Sequence, residues 1–91
     1  MNDEQAQAIA LQALAFIAGE ENALIGLMNL SGLSLDAMKS QAGDPQFLAG
    51  VMDFVLSDEP LLLAFCEAAD LPPETPLRVR RALPGGRGLE F

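Results

Sequence analysis

Signals that start and stop α-helices recur along the whole chain and leave little room for any long element. Residues that favour helix caps precede the apolar segments, at Asn2 or Asp3, Ser34, Asp44 and Asp58. Their side-chain oxygens can accept the free N–H groups of a first helical turn. Glycines that favour helix ends follow the same segments, at Gly19, Gly32 and Gly43. This spacing predicts short helices joined by tight connections.

Apolar residues recur at helical spacing within each of these segments. The predicted helices run from Asn2 or Asp3 to Gly19, from Asn22 to Gly32, from Leu35 to Ala42, from Pro45 to Leu56 and from Asp58 to Ala69. In the second segment, Ile25 and Leu30 add to the stripe that contains Leu27, which makes the helix apolar nearly all round. A helix of that kind is usually enclosed by others, so we expect it to be central and mostly buried.

The break from Asp70 to Pro73 separates the fifth segment from a last helix. That helix begins either at Pro73 or, as we prefer, near Leu77 with Thr75 as its cap, because Pro76 lacks the N–H that an interior turn needs. Pro84-Gly85-Gly86 ends it. We predict an all-α fold, a compact bundle of five or six short helices that forms one domain over residues 1–83, followed by a short, mobile tail over residues 84–91.

Apolar side chains are abundant for a chain of 91 residues, with 31 Leu, Ile, Val, Met and Phe and 14 Ala. Leu and Ala favour helix over strand. A chain this short buries only roughly 60–65% of the surface that its unfolded form exposes. Some of these side chains therefore stay exposed unless a second copy or a partner protein covers them, so self-association is expected.

The compartment is predicted from what the sequence lacks. Cys66 is the single cysteine and has no partner for an internal disulfide, so nothing demands an oxidising environment. The first residues carry no positive charge of the kind that opens a signal peptide. The longest uncharged stretches are shorter than the ~20 residues that a membrane span requires. We expect a cytoplasmic protein with no membrane association.

Groups that commonly carry catalysis or bind metal are scarce. The chain has no histidine, the commonest general base and zinc ligand. Cys66 lies on the apolar face of its helix, where a reactive thiolate is not expected. The adjacent acids Asp3/Glu4, Glu20/Glu21 and Asp58/Glu59 stand at helix starts, where carboxylates interact with free N–H groups. We therefore predict no enzyme activity, no cofactor and no metal site.

Ser34 supports one alternative to this interpretation. A small acidic helical protein with a serine at a helix start is similar to an acyl carrier protein, and the resemblance implies a prosthetic group on that serine. This chain departs from the carrier pattern, because Leu33 stands where a carrier has aspartate and the helix after Ser34 is short. Capping alone also accounts for the Ser34 hydroxyl.

The segments Leu35 to Ala42 and Pro45 to Leu56 have the spacing of a helix-turn-helix, which raises the further alternative of a small nucleic-acid-associated regulator. The second helix would have to read DNA, yet its charged residues are Asp44, Asp53 and Asp58. Because DNA binding depends on neutralising phosphates, these carboxylates would repel the duplex. We predict no binding to duplex DNA.

Charge is divided unequally along the chain. Residues up to Leu77 contain 12 acids and one base, a formal −11, whereas the segment from Arg78 to Phe91 contains four bases and one acid, a formal +3. Arg78, Arg80 and Arg81 share the last helix, where cations also stabilise a helix C-terminus. We predict that these three arginines contact an acidic protein partner, or the acidic body of a second copy.

Four segments of the sequence resemble those of a known family. Asp44-Pro45-Gln46-Phe47-Leu48 is followed by Val51-Met52-Asp53-Phe54-Val55-Leu56, and Ala82-Leu83-Pro84-Gly85-Gly86 closes the last helix. With Ser31-Gly32-Leu33, these motifs resemble a family of short alphaproteobacterial proteins known only as a domain of unknown function, numbered three-five-seven-two. The resemblance implies a small helical protein and implies no activity and no site residues.

Overall fold

The computed structural model describes residues 1–84, which form six α-helices and contain no strand. The helices are α1 (Asp3–Ala18), α2 (Glu21–Ser31), α3 (Leu35–Ser40), α4 (Pro45–Leu56), α5 (Glu59–Ala69) and α6 (Thr75–Ala82). The predicted all-α bundle of short helices is confirmed. The prediction of a mobile tail falls on residues 84–91, of which all but Pro84 lie outside the described residues.

Four of the predicted helix caps are present. The Asn2 side chain accepts the Gln5 N–H at 2.8 Å, and the Gln5 side chain accepts the Asn2 N–H at 3.3 Å, which completes a capping box. Ser34, Asp44 and Asp58 each accept one backbone N–H of the helix that follows, at 3.2, 3.0 and 3.2 Å. Because these contacts span only two or three residues, the local sequence is enough to specify them.

Two helices end on a residue with left-handed backbone. Gly32, predicted as a helix end, has φ +72° after α2, a conformation that glycine adopts without penalty. Asp70 has φ +55° after α5, at the start of the predicted break. Aspartate tolerates this region better than most residues because its short side chain can hydrogen-bond locally.

The start of α6 differs from the prediction. The helix begins at Thr75 rather than near Leu77, and Glu74 takes the cap position, so the prediction of Thr75 as the cap is wrong. The Thr75 N–H donates to the Pro72 carbonyl at 3.0 Å, and its side chain is buried against the core. The turn from Pro72 therefore starts the helix earlier than a threonine cap would. The third helix is also shorter than predicted, since α3 ends at Ser40.

The core lies where α1, α4 and α6 meet, and these three helices pack against one another more extensively than any other set. The fully buried side chains include Ile17 of α1, Leu48 and Met52 of α4, and Val79 of α6. Helix α5 closes one side, where the Phe65 ring packs against Phe16 with the ring centres 5.9 Å apart. This core fixes the position of α6, the helix that carries Arg78, Arg80 and Arg81, relative to α1 and α4.

Helix α2 lies at the edge of the bundle, so the prediction of a central, mostly buried helix is wrong. Leu27 is its single buried residue, whereas Ile25 is 49% exposed and Leu30 is 69% exposed. The helix packs mainly against α1. A Cβ atom on Gly26 would lie 3.1 Å from the Phe54 ring, so the missing side chain lets α2 lie close to this ring of α4. One side of α2 thus meets the bundle while its other sides stay exposed.

Helices α1 and α2 are consecutive but diverge by 113°. No single helix in residues 1–84 is long and apolar enough to cross a membrane, although α1 and α2 taken together reach the length and composition of a span with this bend between them.

Candidate functional site

Helix α6 distributes its three arginines over two different surroundings. Val79 points into the core and is fully buried, which fixes how the helix is rotated against α1 and α4. Arg78 and Arg81 are exposed, and together with Met1 they line one small cavity at the start of α1. Arg80 instead turns toward α4. The structure therefore brings two of the three predicted arginines together and separates the third.

Arg80 forms two bonds inside the chain. Its Nε donates to Asp53 Oδ1 at 2.6 Å, and one of its terminal nitrogens donates to the Pro84 carbonyl at 2.9 Å. The Arg80 side chain is only 11% exposed, so it is a tie between α6 and α4. Asp53 is 53% exposed, so the ion pair lies at the surface of α4. A guanidinium has five N–H donors, and these two bonds use two of them. A partner contact by Arg80 therefore stays a prediction.

Arg78 and Arg81 lie in what we call the α1–α6 corner, formed with Met1, Gln5 and Ile9. Two adjoining cavities of 440 and 250 Å³ open here, and both are lined by Met1 and Arg78. Neither arginine forms an ion pair with any residue in the range 1–84. Met1 is 44% exposed and Ile9 is half-buried. The corner therefore combines two guanidinium groups with an apolar floor.

A second concave region lies at the opposite end of α1 and has the opposite charge. This acidic cavity of 630 Å³ is lined by Glu20, Glu21 and Asp58 and by the rings of Phe16 and Phe54. Its acids stand at the starts of α2 and α5, as predicted, and Asp58 is engaged as a cap there. The acids of this cavity thus lie at one end of α1 and Arg78 and Arg81 at the other, where Asp3 and Glu4 also occupy the first turn of α1.

The Cys66 thiol lies in the core, as predicted. It is 3% exposed, and its Sγ lies 3.7 Å from the Pro72 carbonyl. Burial, and secondarily the negative charge of Glu74, raise the pKa of the Cys66 thiol above its ordinary value. Since the thiolate is the reactive form, both effects make Cys66 a poor nucleophile.

The remaining candidates have local roles. The Ser34 hydroxyl caps α3 by accepting the Ala37 N–H. Across residues 1–84, no three His, Cys, Asp or Glu side chains are grouped in a way that could hold a metal ion. The predictions of no cofactor and no enzyme activity stay predictions.

Sequence reasoning missed the part of the corner that the N-terminal segment contributes. Met1, Gln5 and Ile9 are more than 65 residues from Arg78 in the chain, and no motif connects them. It also missed the Arg80–Asp53 pair, whose partners are 27 residues apart. The one available signal was helical spacing, which places Arg78 and Arg81 on one face and turns Arg80 away from it.

A family model described as "Protein of unknown function (DUF3572)" matches residues 3–86. None of the curated proteins and none of the solved structures compared with the chain matches it.

Proposed function

The chain belongs to the DUF3572 family, and we propose that it is a non-enzymatic interaction module whose α1–α6 corner binds an acidic segment of a partner protein. The observation that carries the proposal is the pair Arg78 and Arg81, exposed on one face of α6 and without an ion pair among residues 1–84. The chain as a whole has a net charge of −8, so positive charge is concentrated at this corner against the general trend.

Charge alone does not distinguish a docking site from a solvated helix end, and the composition of the corner adds to the argument. The exposed Met1 side chain and the half-buried Ile9 lie beside the guanidinium groups. Arginine and methionine are both enriched at the centres of protein interfaces, because a guanidinium pairs with carboxylates in a fixed geometry while its stem packs on apolar surface. A partner segment with acidic and apolar residues would match both components.

The acid at the start of α6 supports the same assignment. Glu74 precedes Arg78 by one helical turn, yet no ion pair joins the two side chains. Arg80 shows what an internal role looks like on this helix: it is nearly buried and bonded to Asp53. Arg78 and Arg81 have neither property, which leaves them available to a partner.

The expected affinity is modest and depends on salt. An exposed Arg–carboxylate pair contributes about 0.2–1 kcal/mol, so two such pairs need the apolar contact beside them to give a stable complex. Salt screens exposed charges over about 8 Å at physiological ionic strength, so binding should weaken as salt is added. We place this interaction in the cytoplasm, because the single cysteine requires no oxidising compartment.

A titration with a defined peptide tests the proposal. A short synthetic peptide of glutamates with one leucine is added to ¹⁵N-labelled protein, and backbone amide shifts are followed by NMR. We expect shift changes that cluster on α6 and the first turns of α1, that shrink with added salt, and that are lost in the Arg78→Ala/Arg81→Ala double variant. A lysine-rich peptide of the same length should cause no changes there.

Lys39→Ala is the matched control, since it removes an exposed positive charge from α3, outside the corner. It should bind the acidic peptide as the wild type does. The proposal is wrong if the double variant binds the peptide unchanged, or if the shift changes lie away from α1 and α6. Pull-downs from lysate of the native host should then also recover the same proteins with the wild type and the double variant.

A further inference from the structure

A groove without charge lies between α2 and the first half of α4. This apolar groove has a volume of 430 Å³, and its apolar lining comprises Leu27, Leu30, Leu33, Phe47, Gly50 and Val51. The rest of its lining is polar but uncharged: Ser31, Gln41 and Gln46. It differs in this respect from the α1–α6 corner and from the acidic cavity, both of which carry charged side chains.

Helix α2 has more apolar surface than the bundle covers. Only Leu27 is buried, although Leu24, Met28 and Gly26 are partly covered by the neighbouring helices. Leu30 is the most exposed large apolar side chain in residues 1–84, at 69%. A helix that is apolar nearly all round is ordinarily enclosed on every side. A second molecule that covers the exposed side of α2 would account for the apolar residues there.

The charge distribution favours a second copy of this chain as that molecule. Because each copy has a net charge of −8, two copies repel one another in most relative orientations. The stretch from Asn22 to Leu35 contains no charged residue, and the groove beside it has none in its lining. Two copies that meet through this face bring uncharged surfaces together and leave their carboxylates in water. A cationic partner would find no carboxylate in the groove to recognise.

The same face combines an exposed apolar side chain with an open position in the groove. Leu30 lines the groove and is also 69% exposed, so most of its surface is free to contact a second molecule. Gly50 leaves its side of the groove open, since a Cβ atom placed there would meet no other atom within 4 Å. A two-fold axis brings the same surface of both copies together, so a projecting residue beside a recess on one copy faces the recess and the projection of the other.

We propose that the chain forms a symmetric dimer through this face, with Leu30 of each copy inserted into the apolar groove of the other beside Gly50. The α1–α6 corner lies outside the groove and shares no lining residue with it. The dimer would therefore display two basic corners. Since the two surfaces share no lining residue, the dimer does not depend on the proposed function. The Arg78→Ala/Arg81→Ala variant should therefore dimerise as the wild type does.

Sedimentation velocity and light scattering over a wide range of protein concentration test the proposal. The wild type should shift from monomer to dimer as concentration rises. Leu30→Glu should weaken the dimer by more than about tenfold, because it would bury a carboxylate in an apolar groove. Leu63→Glu is the matched control, since Leu63 is 46% exposed on α5 and does not line the groove.

Gly50→Gln separates loss of the interface from loss of the fold. Glutamine favours helix more than glycine does, and its Cβ would meet open space at this position, so thermal stability measured on dilute protein should not fall. Its side chain would occupy the groove, and we expect the dimer to weaken as it does in Leu30→Glu. Two further variants test the contact directly: one carries Leu30→Cys, the other carries Gly50→Cys, and both carry Cys66→Ala. When the two are mixed and oxidised, they should form a disulfide between the two chains.

Several results would overturn the proposal. A wild type that is monomeric at every concentration rules out the dimer. A dimer that survives both Leu30→Glu and Gly50→Gln has its interface elsewhere, and a dimer that Leu63→Glu disrupts equally is not specific to the groove. Binding of the monomer to phosphatidylcholine vesicles that is lost in Leu30→Glu would assign the face to lipid instead of a second copy.

Discussion

The two parts of this small bundle are made from similar residues but are packed very differently. Helices α1, α4, α5 and α6 form the packed part, and α2 and α3 form the edge. Of the 17 buried apolar residues in the range 1–84, only Leu27 and Met38 come from the edge. Both parts contain many apolar residues, and α2 alone has Leu24, Ile25, Leu27, Met28 and Leu30. Apolar composition therefore does not decide which helix becomes central.

The difference follows from how many neighbours each helix can have. Helix α4 packs against α1, α5 and α6, so its apolar stripe is covered from several directions. Helix α2 leaves α1 at 113° and reaches the bundle mainly through α1 and the Phe54 ring. The packed helices supply most of the buried core, whereas α2 leaves most of its apolar residues partly or fully exposed. Four predictions test this contrast, all measured by urea unfolding on dilute protein unless stated otherwise.

The largest difference is expected between two leucines. Leu48→Ala should lower the free energy of unfolding by about 2–5 kcal/mol, because the side chain is fully buried and its loss leaves a cavity. Leu30→Ala should change it by less than about 0.5 kcal/mol, since the residue is 69% exposed. Equal costs for the two substitutions would contradict the division into a packed part and an edge.

Helix caps should show the same contrast at a smaller scale. Asp44→Ala removes the cap of the central helix α4 and should cost about 1 kcal/mol. Ser34→Ala removes the cap of α3, which has six residues at the edge and can unwind without the rest, so its cost should be smaller. Intact masses of wild type and Ser34→Ala, both purified from the native host, also test the carrier alternative. A difference larger than one oxygen atom would support a prosthetic group on Ser34.

Two glycines allow a matched comparison between helices. Gly50→Ala should raise the free energy of unfolding by about 0.5–1 kcal/mol, because alanine is the better helix former and its Cβ meets open space. Gly26→Ala should gain less than Gly50→Ala or lose stability, since its Cβ would lie 3.1 Å from the Phe54 ring and push α2 away. If both substitutions stabilise equally, α2 is not held by this close approach.

The smallest effect in free energy is expected at alkaline pH. The pKa of the folded Cys66 thiol lies above its ordinary value, so the folded state holds this proton more tightly than the unfolded state. Its contribution is fully present below the ordinary thiol pKa and declines as pH rises from that value through the raised pKa. The free energy of unfolding of the wild type should therefore fall relative to that of Cys66→Ala over that window. Around neutral pH the difference between the two proteins should not change with pH.

A thiol at the edge provides the control for this effect. Leu30→Cys, made together with Cys66→Ala, should be alkylated faster by iodoacetamide than Cys66 in the folded wild type, because position 30 is exposed. It should also show no alkaline loss of stability. Rapid alkylation of Cys66 in the folded protein would contradict its burial.

Much of the helix pattern was predictable because it depends on contacts within one turn. The caps at Asn2, Ser34, Asp44 and Asp58 each involve a backbone N–H two or three residues away. The start of α6 was not predicted, since it depends on the turn from Pro72 and on burial of Thr75. For the candidate site, the sequence showed three arginines on one helix but not which of them has a partner inside the chain.

The sequence by itself determined that this chain is all-α, where most of its helices begin and end, and that its positive charge is concentrated on the last one. Short-range hydrogen bonds and backbone preferences are enough for these features, because they require no knowledge of which helices meet. Only the tertiary structure decided that α2 lies at the edge, that Arg80 pairs with Asp53, and that Arg78 and Arg81 join Met1 in a corner. Those outcomes depend on which faces pack together, and residues distant in the chain set that choice jointly.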